Sequence, residues 1–256
     1  YDIELDPDDN SIIYASYSPK IFEDFSSLWR YSPYQQEGFG WSEILRVEDS
    51  GGITSIAFDP VNPNNIYAGI IGDRGAIYVS SDRGKSWHVL NEHFTMCTVW
   101  GQSQLIIHPD NPSIAYAATW LGGTWKTEDA GQTWTLLKEA PISSTALSLN
   151  EEDTDVIYLA DRSSPTVWKS EDAGETWREV ANFRADGALL VMRVLVDGDT
   201  VYASTFNPAL GGGKLYRSVD AGSTWADITG TLPKGILDIA IDPTNSNVVY
   251  AGLGEQ

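Results

Sequence analysis

Apolar residues in this chain fall in short runs separated by clusters of polar turn formers, and one two-run unit recurs. It reads SIAFDPVNPNNIYAGI at 55 to 70, LIIHPDNPSIAYAATW at 105 to 120, LSLNEEDTDVIYLAD at 147 to 161, MRVLVDGDTVYAST at 192 to 205 and IAIDPTNSNVVYAGL at 239 to 253. In each copy an apolar run leads into Asp, Pro and Asn and out again into a second β-rich run, which is a hairpin signature. The chain opens on the same phrase, IELDPDDNSIIYASYS at 3 to 18.

A second phrase follows four of these hairpins: SSDRGKSW at 80 to 87, TEDAGQTW at 127 to 134, SEDAGETW at 170 to 177 and SVDAGSTW at 218 to 225. Apolar residues flank it on both sides, so it is the turn between two further strands. Its aspartates Asp82, Asp129, Asp172 and Asp220 lie 47, 43 and 48 residues apart, the spacing of one four-stranded propeller blade per repeat. The short Asp side chain can accept bonds from N–H groups of its own turn. The glycine two positions on (Gly84, Gly131, Gly174, Gly222) tolerates positive φ. The tryptophans Trp87, Trp134, Trp177 and Trp225 are expected to wedge between neighbouring sheets and stabilise them by burial. Equivalent positions in a ring of blades do not converge, so these aspartates read as structural rather than catalytic or metal-binding.

The phrase S/T-x-D-x-G-x-T/S-W resembles the Asp-box, or BNR, repeat of sialidases, sortilin-type receptor domains, xyloglucan-cleaving glycosidases and photosystem II assembly-factor propellers. The expected fold is all-β: a β-propeller of four-stranded antiparallel blades, in one domain over 1–256. Five whole blades fall at about 1–48, 49–92, 100–140, 142–184 and 188–230, followed by the first two strands of a sixth. An open sheet edge there implies completion by a further stretch of the same protein or strand donation by another chain.

The pattern fails once inside the chain. The first blade has no box Asp, and Glu37, Gly38, Gly40 and Trp41 read as its remnant. Residues 19–36, rich in aromatics (Phe22, Phe25, Trp29, Tyr31, Tyr34), read as an inserted loop, a common place for added function.

Composition narrows the options. A net charge of −20 and a pI near 4.3 argue against nucleic acid and anionic membranes as partners. No apolar stretch reaches the roughly 18 residues of a spanning helix, and no leader is present. The sequence begins at Tyr1 without Met, which suggests either removal of a leader or trimming, and the expected location is extracellular or periplasmic. The single Cys97 excludes an internal disulfide. No metal set is expected; Ca²⁺ in the turn with Asp6, Asp8 and Asp9 is a weak signal because the Asp-x-Asp-x-Asp-Gly spacing is absent.

Box turns and Asp-Pro turns share one end of a blade, which leaves the opposite loops as the candidate ligand face. It comprises Trp29, Asp73, Arg74, His93, Trp100, Trp120, Asp161, Arg162, Arg184, Asp186 and Phe206. Aromatics beside carboxylates and arginines suit a glycan or a protein loop. No catalytic residue is assigned. The sialidase resemblance would need an arginine cluster, for which Arg74, Arg162, Arg184 and Arg193 exist, but an Arg-Ile-Pro opening is absent. The xyloglucanase resemblance would need two opposed carboxylates, and its Thr-Asp-Ile-Gly-Gly stretch has no match at Tyr14 to Ser18. The expectation is a non-catalytic binding, assembly or structural platform that contacts protein or glycan, with a glycoside hydrolase as the alternative.

Overall fold

The computed structural model describes residues 2–17, 25–34, 40–48, 50–71, 76–91, 104–119, 122–207, 212–232 and 235–253. The described residues form strands and one short 3₁₀ turn, Arg184–Asp186, and none of their helices is long and apolar enough to cross a membrane. They fall into two compact units, Tyr1–Leu136 and Leu137–Gln256.

The first unit holds three four-stranded antiparallel sheets. They are β1 (Ile3–Leu5), β2 (Ile13–Tyr17), β3 (Phe25–Tyr31) and β4 (Trp41–Glu48); β5 (Gly52–Phe58), β6 (Ile66–Ile71), β7 (Ala76–Ser80) and β8 (His88–Asn91); and β9 (Gln104–Ile107), β10 (Ala115–Thr119), β11 (Gly123–Thr127) and β12 (Thr135–Leu136). The second unit holds β13 (Ser144–Leu149), β14 (Ile157–Asp161), β15 (Thr166–Ser170) and β16 (Arg178–Asn182), then β17 (Leu190–Asp197), β18 (Thr200–Phe206), β19 (Leu215–Ser218) and β20 (Ala226–Asp227). A two-stranded sheet of β21 (Ile236–Asp242) and β22 (Asn245–Leu253) follows. In every sheet the strands pair in chain order, the meander of a propeller blade.

Within each unit the core lies between successive sheets. Ile12, Tyr14, Leu28 and Leu45 of the first sheet and its turn pack on Ile53, Ile56, Ile66 and Ala68 of the second, with Trp87 at the margin. Trp134 and Trp225 hold the same place at the next junction of the first unit and between the fourth and fifth sheets. The repeated tyrosines Tyr14, Tyr158 and Tyr202 are fully buried, each on a second strand that packs against the following sheet of its own unit.

Within 19–36, read as an inserted loop, Phe25–Tyr31 is instead β3, an interior strand paired with both β2 and β4; residues 19–24 and 35–36 lie outside the described residues. Its aromatics satisfy the β preference of a half-buried strand.

Candidate functional site

The two ends of the blades differ in how their polar groups are used. At the box end the four copies are superimposable in chemistry. The opening Ser or Thr hydroxyl (Ser80, Thr127, Ser170, Ser218) donates to Oδ1 of the box Asp at 2.7–2.8 Å and accepts the N–H of the box Gly at 2.8–2.9 Å. The residue before the Trp (Ser86, Thr133, Thr176, Thr224) donates its N–H to Oδ1 at 2.8 Å and its hydroxyl to Oδ2 at 2.6 Å. The indole N–H returns to the Gly carbonyl at 2.9–3.2 Å. Each carboxylate is therefore consumed by its own turn. Hydroxyl and then backbone donors from the residue before the Trp hold Asp82 and Asp220 down to about 2, and Asp129 and Asp172 are lowered by the same groups.

Two features of the box were not read from sequence. First, the residue before each Gly also takes positive φ (Arg83 58°, Ala130 57°, Ala173 55°, Ala221 53°), and its N–H donates at 2.9–3.0 Å to the first hairpin of the same blade, at the carbonyls of Asn64, Ser113, Asp155 and Asp199. Second, the box Gly lies against the preceding blade. A Cβ would fall 2.7 Å from Ile44 at Gly84, 2.5 Å from Leu90 at Gly131, 2.7 Å from Leu137 at Gly174 and 3.3 Å from Val180 at Gly222. Each of these aliphatics stands three residues after a Trp, at 41, 87, 134 and 177. That repeat was available in the sequence as a signal, and it makes Trp41 the surviving Trp of the first box.

Arg83 adds a clip between the first and second sheets. Its guanidinium pairs with Asp6 at 3.0 Å and with Asp8, and its Nε donates to Asn64 Oδ1 at 3.1 Å. Asp9 accepts the Ser11 hydroxyl at 2.6 Å. The acidic turn is thus occupied by a cation from the protein itself, and no group of three His, Cys, Asp or Glu among the described residues is placed to hold a metal.

At the opposite end the candidate residues have varied settings. Asp161 closes β14 and is buried; it accepts from the Ser163 N–H (2.8 Å), the Ser163 hydroxyl (2.7 Å) and the Ser164 hydroxyl (2.8 Å), so it ties its own loop. Arg162 donates its N–H to the Ser143 carbonyl at 3.0 Å, and burial lowers its guanidinium pKa. Arg184 and Asp186 are exposed on the 3₁₀ turn that leads from the fourth sheet to the fifth. Leu189 N–H to Phe206 carbonyl (3.0 Å) and Asn207 Nδ2 to the Gly187 carbonyl draw this turn beside the end of β18. Trp29 stands in β3, half-buried, with its indole N–H on Ser27 Oγ at 2.8 Å. Asp73, Arg74, His93, Trp100 and Trp120 lie outside the described residues.

Arg184, Asp186 and Phe206 thus form one neighbourhood in the second unit, and the structure adds members that the sequence reading missed. Phe183 stacks on Tyr216 at 4.1 Å and meets Trp225 edge-on at 5.6 Å. Burial raises the Tyr216 hydroxyl pKa, and Asp186 and Asp227 raise it further; Asp227 pairs with Lys214 at 3.0 Å. A separate carboxyl pair lies at the start of the first sheet, Glu4 in β1 and Asp2 just before it. Glu4 keeps accessible surface, yet the surrounding protein withdraws enough water to push it up to about 7, with Asp2 adding to the effect.

Comparison with known proteins matches the box and the blade architecture. Residues 77–90 fit the family described as BNR-Asp box repeat. A xyloglucanase of Paenibacillus sp is 27% identical over 164 residues, 56% of this chain, and one of Acetivibrio thermocellus is 31% identical over 136 residues, 48% of the chain. The chain spans only 16% of the length of either relative. Among solved structures, the Niastella koreensis GH74 enzyme superposes with a TM-score of 0.76 at 22% identity, covering 97% of this chain and 40% of the other. YCF48 bound to D1 peptide gives 0.61 at 16% identity, covering 98% and 81%. The fold is a β-propeller, related in sequence to xyloglucanase propellers.

Proposed function

We propose that this chain is an extracellular propeller that recognises a polysaccharide of the xyloglucan class through the blade ends opposite the Asp boxes, as a binding platform rather than a complete active site. The observation that carries this reading is the asymmetry of the ends. The four box carboxylates are spent on their own turns, whereas Arg184 and Asp186 stand exposed beside Phe206 at the other end. An aromatic ring next to exposed charged donors and acceptors is the composition that stacks on and hydrogen-bonds a sugar. The relatedness to xyloglucanases supports the ligand class. Asp161 is taken up by its own loop, through the Ser163 N–H and the Ser163 and Ser164 hydroxyls.

A second reading, glycoside hydrolysis, is favoured by Glu4, a carboxyl displaced into the range of a general acid beside the carboxylate of Asp2. One experiment separates the readings: electrophoresis of the protein through gels containing xyloglucan, mixed-linkage glucan or no glycan, with reducing ends assayed in parallel. The platform reading expects retardation in xyloglucan without new reducing ends, and loss of retardation in Arg184→Ala. Reducing-end release abolished by Glu4→Gln would transfer the function to the hydrolase reading. Unretarded migration in every glycan would remove polysaccharide as the ligand.

A further inference from the structure

We propose that Tyr216 is the positioning residue of the ligand-facing turn: its hydroxyl closes on one carboxylate oxygen of Asp186 and so fixes the other toward solvent, as acceptor for a sugar hydroxyl. This rests on the reading of the Arg184–Asp186 turn as part of a polysaccharide-binding face. The phenol is the unusual group. Tyr216, in β19, is 3% exposed, and its hydroxyl oxygen is buried without a hydrogen-bond partner among the described residues. Such a group has lost its hydration and gained nothing in return. Other buried tyrosines of the same unit are satisfied: Tyr158 donates to the Ala221 carbonyl at 3.0 Å and Tyr202 to the Ser246 carbonyl at 2.8 Å.

Two carboxylates act on the Tyr216 hydroxyl, those of Asp186 and Asp227. Asp227 is already filled: it accepts the N–H and the hydroxyl of Thr229 at 3.0 and 2.6 Å and pairs with Lys214 at 3.0 Å. Asp186 is exposed, and it alone acts on the phenol as a hydrogen-bond acceptor as well as a charge. Burial, and after it Asp186, keeps the phenol in its protonated, donating form. The contact stops short of a closed bond in the structure. Closing it costs the freedom of one short exposed side chain, less than the buried hydroxyl forfeits while unpaired. Both partners stand on fixed backbone. Phe183, which caps the turn, stacks on the Tyr216 ring at 4.1 Å and 22°. Asp186 and Ala188 donate their N–H groups to the Phe183 carbonyl at 3.1 and 3.2 Å, and Leu189 ties the exit of the turn to the Phe206 carbonyl at 3.0 Å. A carboxylate held there by one oxygen presents the other in one direction, which lowers the ordering cost of recognition.

Tyr216→Phe is the test, because it keeps the ring in its stack and removes only the hydroxyl. Two measurements are made on the 256-residue protein. The first is a double-mutant cycle in the free protein, Tyr216→Phe against Asp186→Ala, read by chemical denaturation. The expected result is a change of sign: Tyr216→Phe destabilises the wild type, which loses the bond, and stabilises Asp186→Ala, which is relieved of an orphaned hydroxyl. The unfolding constants should depart from independence by about fivefold, as for residues of one hydrogen-bonded network. The second is electrophoresis through graded xyloglucan. Tyr216→Phe should raise the apparent dissociation constant about tenfold, the worth of a hydrogen bond to a charged group, and should weaken Asp186→Ala no further. Independent effects on unfolding would overturn the proposal whatever the glycan does, and so would wild-type retardation of Tyr216→Phe. Unretarded wild type would remove the polysaccharide reading and the ligand role of Asp186 with it, an outcome the cycle tells apart from failure of the Tyr216–Asp186 contact.

Discussion

The two ends of the blades are built from the same strands and differ in what their turns do. At the box end one set of bonds repeats four times with nearly constant distances, from a Ser or Thr hydroxyl through the Asp to the indole. At the other end, Asp161 serves a loop of serines, Arg184 and Asp186 ride an exposed turn, and Tyr216 lies beneath them stacked on Phe183. Where the carboxylates are spent on their own turns, they have little left to offer a ligand. An end whose loops answer to no common rule is free to vary, and recognition is better placed there.

The comparison breaks most visibly if the box end proves tolerant. Gly131→Val should be the largest lesion, since a side chain there meets Leu90 at 2.5 Å from a residue at φ +85°. Overpacking and backbone strain together predict a loss of about 3–5 kcal/mol by chemical denaturation. Next comes Arg83→Ala, which restores the alanine of the other boxes but leaves Asp6, only 1% exposed, without its cation. The expected loss is about 2 kcal/mol, less than for a wholly buried pair because the guanidinium reaches solvent. Adding Asp6→Asn should return part of it, and failure to do so would show that Arg83 acts by packing alone. The smallest effect is acid titration of the boxes. Their carboxylates have lowered pKa values in the folded state, so their contribution is complete above the unfolded value near 3.8 and disappears as pH falls through about 2. Melting temperature should therefore decline between about pH 4 and 2, and Asp172→Asn should flatten that decline. A wild-type curve with no slope in this window would mean that the turn hydrogen bonds are not retained in solution.

What was legible in the sequence follows the range of the interaction. The box turn could be read because Asp172, Gly174, Thr176 and Trp177 bond to one another within a few residues. Contact between Gly131 and Leu90 spans 41 positions, and its only trace was an aliphatic recurring three residues after each Trp. Phe25–Tyr31 was misread as an insertion because the first box had lost its Asp, which removed the landmark for a third strand; the pairing of Tyr14 with Arg30 then decides the matter. The candidate face was harder still. Asp161 is committed to Ser163 and Ser164 within DRSSP itself, as local a pattern as the box, but it occurs once and so had no repeat to mark it as a turn device. Tyr216 was passed over as an ordinary strand residue, since its partner Phe183 arrives from the preceding blade.

The contact between a box glycine and the aliphatic of the blade before it also has a direction. Each hairpin brings its own indentation and borrows its protrusion from upstream, so a blade's turn can be exchanged only with regard to its predecessor. The four junctions grade in tightness, with Gly222 over Val180 at 3.3 Å the loosest and Gly131 over Leu90 at 2.5 Å the closest. A lineage that shuffles or duplicates such blades would find the fifth the easiest to transplant and the third the hardest, and sequence drift should accumulate in the same order.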